Sequence, residues 1–148
     1  MIRPRSRNES RSVTDLKVLQ RRFVEEFQTE GKVDVADELI ADDFVNHSTV
    51  PPFPPTKDGV KAMFAMFHAA CPDFRAEIHD MLLDGDKVVT HKTFHGTHLG
   101  ELMGIPGTGR GFTVAVMDIV RYRDGQVVEH WNVVDQVPLL QAIGVIPS

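Results

Sequence analysis

The sequence predicts an α+β fold, on three observations. Helical spacing of apolar residues fills the first half, strand alternation fills the second, and no linker or repeat divides them. Ser12 or Thr14 can cap a first helix in which Leu16, Leu19, Phe23 and Phe27 recur at helical spacing, and Gly31 ends it. A short second helix carries Val35, Leu39 and Ile40 on its apolar side, and Phe44-Val45-Asn46-His47 follows as an extended piece. Pro51, Pro52, Pro54 and Pro55 make a stiff loop. Helical spacing resumes from Thr56 to Ala70 through Val60, Met63, Phe64 and Phe67, and Pro72 stops it.

From Phe74 the period changes to two. Arg75 to Leu83 and Lys87 to His95 read as strands about an Asp84-Gly85-Asp86 turn. Gly96 to Gly111 reads as a glycine-rich loop with a broken edge. Phe112 to Arg123 and Gln126 to Asp135 form a hairpin on Asp124-Gly125, a type I′ turn signal. Helices first and strands after place the helices on one face of a mostly antiparallel sheet.

The 148 residues suit one domain over 12–148, preceded by a solvated basic tail over 1–11 that holds Arg3, Arg5, Arg7 and Arg11. A net charge of −5 argues against a nucleic-acid partner. No run approaches the roughly 18 apolar residues of a membrane span, and no apolar stretch follows the basic start as in a secretory signal, so a cytoplasmic protein is expected. Cys71 is the only cysteine and reads as a buried, inert thiol.

Alternation also places side chains. Phe112, Val114, Val116, Asp118, Val120 and Tyr122 share one face of their strand, so Asp118 is a lone acid in an apolar row. If that row lines a pocket, desolvation makes Asp118 a candidate general base; the alternative is a carboxylate in a salt bridge, for instance with an arginine. His130 and Asn132 share a face with Val128 and Val134 on the partner strand. His130 beside Asp118 would make a proton-transfer pair, or else is a hydrogen-bonded structural histidine. His91 and His95 lie on one strand face but roughly 13 Å apart at 3.3 Å per residue, too far to ligate one ion, so no metal is expected.

The segments Gly96 to Arg110, Arg121 to Trp131 with Asp135 and Leu139 to Gly144, and Ala41 to His47 together resemble the SnoaL-like polyketide cyclases over about residues 12 to 146. The resemblance implies the cone of the nuclear transport factor two-like superfamily, an α+β barrel. In it, a curved sheet encloses an apolar pocket and helices close its concave face. It also implies a homodimer through the sheet, a hydrophobic small-molecule substrate, and ring closure by intramolecular aldol chemistry without metal or organic cofactor. Asn46 matches a pocket position that would contact a substrate carbonyl, the alternative being a backbone-capping asparagine. With it, His47, Phe112, Val116 and Val128 are expected to contact substrate.

Two positions depart from the family pattern. Asn132 stands where the characterised cyclases carry the acid/base aspartate, and Asp118 stands where they carry a histidine. An amide cannot abstract a proton but can donate to an enolate oxygen. One reading is therefore a cofactor-free enzyme of cyclase, isomerase or lyase type, with Asp118 or His130 as base and Asn132 or Asn46 holding the oxygen. The other is a non-catalytic small-molecule-binding or interaction module. Epoxide hydrolysis is disfavoured because Asp118 and Arg121 fall on opposite strand faces.

Overall fold

A computed structural model describes residues 16–148. The basic tail expected over 1–11 and the Ser12 or Thr14 cap lie outside the described residues. Helix α1 covers residues 16–29, and its second half, Phe23–Thr29, is wound as a π-helix. Helix α2 spans Val33–Leu39 and passes directly into strand β1, Ile40–Asn46, so Ile40 belongs to the strand and not to the helix. Helix α3 spans Lys57–Ala70, capped by the Thr56 hydroxyl, which accepts from Gly59 N at 3.2 Å. Gly59 has no substitute here, because a Cβ would sit 1.9 Å from the Pro54 carbonyl oxygen. Strands β2 (Arg75–Asp84), β3 (Lys87–Thr97), β4 (Gly111–Arg123) and β5 (Gln126–Val134) follow, then helix α4, Val137–Ala142.

The five strands form one mixed sheet in the order β1-β5-β4-β3-β2. Only β1 and β5 pair in parallel; the other three pairings are antiparallel. The β4–β5 turn is of type I′, with Asp124 and Gly125 at φ 52° and 76°. On β4, buried and exposed residues alternate as the sequence predicts, with Phe112, Val114, Val116, Asp118, Val120 and Tyr122 all turned inward. On β5 strict alternation fails. Arg121 faces Glu129 while Tyr122 faces Val127, so Val128 is an extra, bulged residue. Val127 takes the inward position that plain alternation gives to Val128.

Helices α1, α2 and α3 cover the inner face, and the core joins Phe23, Phe27, Leu39, Phe44, Phe64 and Phe74 to the inward valines of β4. No helix of the described residues is long and apolar enough to cross a membrane. The loop 98–110 is pinned by His98, which is fully buried. Its Nδ1 lies 3.1 Å from Thr108 Oγ1 and its Nε2 3.2 Å from Ile105 O, and Thr108 Oγ1 donates to Ala142 O on α4 at 2.9 Å.

A second polar tie crosses the core. Tyr122 Oη donates to Gln20 Oε1 at 2.7 Å, and Gln20 Nε2 donates to Thr90 Oγ1 at 3.3 Å, joining α1 to β3 and β4. Tyr122→Phe strips the buried Gln20 carbonyl of its donor and should cost about 1–3 kcal/mol in urea unfolding. An unchanged unfolding midpoint would show that this tie contributes nothing.

Candidate active site

The inward faces of β1, β3, β4 and β5 and the helices above them enclose a cavity of about 60 Å³. Its wall is mostly apolar, including Phe23, Phe44, Val60, Met63, Phe64, Phe94, Val116, Val120 and Val127. Six polar side chains interrupt it: Gln28, Asn46, Lys92, Asp118, His130 and Asn132.

Of the residues the sequence singled out, Asn46, Val116, Asp118, His130 and Asn132 meet at this cavity. Asp118 and Asn132 are direct cross-strand partners on β4 and β5, and His130 pairs with Asn46 across the parallel β1–β5 ladder. His47, Phe112 and Val128 do not line it. His47 lies on the outer sheet face, its ring stacked on Trp131 at 4.8 Å and its Nε2 2.8 Å from Glu129 Oε2. Phe112 borders a separate open groove beside α4. Val128 is displaced by the bulge.

His130 is held in one tautomer. Its Nδ1 lies 2.9 Å from Asn46 Oδ1, an oxygen that can only accept, so Nδ1 carries the proton and Nε2 the lone pair. Asn46 Oδ1 also accepts from Ser48 N at 3.0 Å, so this amide is both a turn cap and a histidine orienter. Nε2 has no hydrogen-bond partner among the described residues. Burial pushes the imidazole down to about 4; the nearby Asp118 carboxylate opposes that shift, and Lys92 adds to it. His130 is therefore neutral at pH 7.

Asp118 is only 1% exposed, and its partner is not an arginine. Lys92 Nζ, on the neighbouring strand, lies 2.6 Å from Asp118 Oδ2 and donates to Gln28 Oε1 at 2.8 Å. Its ammonium also sits 5.0 Å from the Phe94 ring centre. Asp118 Oδ1 is buried without any hydrogen-bond partner among the described residues. Gln28 reaches Lys92 from the π-helical turn of α1, a local geometry often found at functional sites. Lys92 and Gln28 were not identified from the sequence. The signal for Lys92 lay in β3, where Val88, Thr90, Lys92 and Phe94 share the inward face.

Among the described residues no group of three or more His, Cys, Asp or Glu side chains is placed to hold a metal ion. Cys71 is fully buried, and desolvation with the adjacent Asp73 carboxylate pushes its thiol up to about 11. It is no nucleophile at neutral pH.

Comparison with known proteins agrees with this fold. The aklanonic acid methyl ester cyclase DauD of Streptomyces sp. (strain C5) is 28% identical over 130 residues, 85% of this chain and 80% of that protein. The structure of IdmH from Streptomyces antibioticus superposes with a TM-score of 0.74 at 32% identity, covering 86% of this chain and 97% of the other. That of TsrD from Streptomyces laurentii gives 0.80 at 26% identity, covering 90% and 97%. The sequence profile of the SnoaL-like polyketide cyclases matches residues 18–143, most of the chain, and the chain belongs to that family.

Proposed function

We propose that this protein is a cofactor-free cyclase, isomerase or lyase that removes a proton α to a carbonyl of a hydrophobic, polyketide-like substrate. One observation carries the reading. A neutral histidine, its Nδ1 committed to Asn46, presents an unpartnered Nε2 lone pair in an apolar cavity beside a carboxylate. That is the arrangement of an oriented general base. Of the two candidate bases, His130 is favoured. It keeps part of its surface open, whereas both Asp118 oxygens lie in a side chain that is almost wholly enclosed. Asp118 then supplies the negative charge that stabilises the imidazolium, and the Asn132 amide donates towards the substrate oxygen.

The names of the relatives point to methyl esters of polyketide acids as the substrate class. A cavity of about 60 Å³ has the volume of roughly two waters. A multi-ring substrate therefore needs the lining to open, and the partly buried, flexible Met63 is one wall residue able to move.

Incubation with linear and polycyclic carbonyl compounds in heavy water, read by mass spectrometry, tests the chemistry. Wild type should introduce deuterium α to the carbonyl. His130→Gln should lower the rate by roughly 10²–10⁴-fold. No uptake by compounds that demonstrably bind would sink the proposal and leave a non-catalytic binding module.

The pH profile separates the two candidate bases. His130 must be neutral to act, so exchange should hold from neutral pH down towards 5 and fall as pH drops through about 4. Asp118 holds the imidazole up, so Asp118→Asn should slow exchange and move that acid limb to lower pH. Complete loss in Asp118→Asn with full activity in His130→Gln would make Asp118 the base.

We further propose that the protein is a cytoplasmic homodimer joined through the outer sheet face. There Met117 is 50% exposed, Ile119 38% and Val133 76%, and the cross-strand pairs Met117–Val133 and Ile119–Trp131 form a continuous apolar strip. Met117→Lys with Val133→Glu should yield monomers in light scattering. A monomeric wild type would remove this part of the account.

A further inference from the structure

Lys92 is the one charged side chain of the cavity to which the mechanism above gives no role. As a stability device it is poor, because taking an ammonium and a carboxylate out of water costs about as much as their attraction returns. Its surroundings are not those of a purely structural lysine. It lies in the cavity wall, 2% exposed, on the inward face of β3. An ammonium has three N–H donors. Gln28 Oε1 takes one and the Asp118 carboxylate faces the group at 2.6 Å. No other acceptor among the described residues receives from it, and Phe94, another wall residue, lies alongside.

The charge balance points the same way. At rest Lys92 and Asp118 cancel and His130 is neutral, so the polar wall carries no net charge. Once His130 gains a proton, the wall carries one net positive charge. An anion within the cavity restores neutrality, and the Lys92 ammonium is the group placed to meet it.

We propose that Lys92 is a catalytic residue that holds the substrate oxygen on which negative charge develops, so that the site binds phenolates as mimics of the enolate. The inference rests on the reading of His130 as base. His130 Nε2 takes the α proton, the C–H electron pair becomes the C–C π bond of the enolate, and the carbonyl oxygen gains the charge that the spare Lys92 N–H meets. Reprotonation, or attack of the enolate carbon on a second carbonyl of the same molecule, discharges it, and His130 returns its proton.

Ionisation of bound 4-nitrophenol tests this without turnover, because phenol and phenolate absorb at different wavelengths. Wild type should bind the phenolate in preference to the phenol, lowering the apparent pKa of the bound probe by at least roughly tenfold in ionisation constant, the size of one hydrogen bond to a charged group. Lys92→Gln should abolish or reverse that preference. Lys92→Gln/Asp118→Asn, which removes both charges and so avoids an unpaired buried carboxylate, should bind the neutral phenol. A wild type that binds only neutral phenol, or binds no probe up to its solubility, overturns the proposal. So does a double variant that still prefers phenolate. Deuterium exchange by the same wild-type sample keeps the two readings apart: exchange without phenolate preference removes Lys92 and leaves His130, and loss of both removes both.

Discussion

The buried pair between Lys92 and Asp118 is the constraint around which the rest of the site is arranged. Each partner alone would be an uncompensated charge in an apolar wall, so the two must meet, and they meet only if β3 and β4 keep their register. Residues 90 and 118 are direct partners across that ladder, which places Lys92 one inward position along from the acid. Gln28 adds a second contact to the ammonium, from the π-helical half of α1. The same pair sets the field that His130 experiences, the carboxylate favouring the imidazolium and the ammonium opposing it.

His130 and Asn46 make the second half of the site, and they depend on the one parallel pairing in the sheet. Strand β1 lies beside β5 with Asn46 opposite His130, which brings the amide oxygen to Nδ1 and leaves Nε2 for the cavity. The bulge at Val128 lets Val127 and His130 both turn inward while Glu129 and Trp131 turn out. On the outer face, His47 and Arg121 hold Glu129 below the usual carboxylate range and flank Trp131. The two faces of β5 thus carry different work, proton chemistry inside and an apolar strip outside.

How far the sequence showed this depends on the type of signal. The inward row of β4 was legible because five apolar residues and one acid alternate without interruption between a glycine-rich loop and an Asp-Gly turn. Asp118 was legible for that reason, and His130 and Asn132 through alternation on the partner strand. Lys92 was not, because a lysine reads as surface unless its strand neighbours are weighed with it, and β3 also carries Thr90 and Gly96 on its inward face. The bulge on β5 has no clear signature in Gln126-Val127-Val128-Glu129, so Val128 was assigned the place that Val127 holds. His47 falls one residue past the end of β1, where alternation alone turns it away from Asn46 and out of the cavity. Gln28 depends on a π-helical turn that helical spacing does not reveal.

The most direct measurement is of the His130 ring itself, by NMR of protein carrying ¹⁵N-labelled histidine across a pH titration. The account predicts a neutral ring at pH 7 with the proton on Nδ1, titrating near 4. A ring that is charged at pH 7, or that carries its proton on Nε2, would contradict it, because the lone pair offered to the substrate would then be absent or turned towards Asn46.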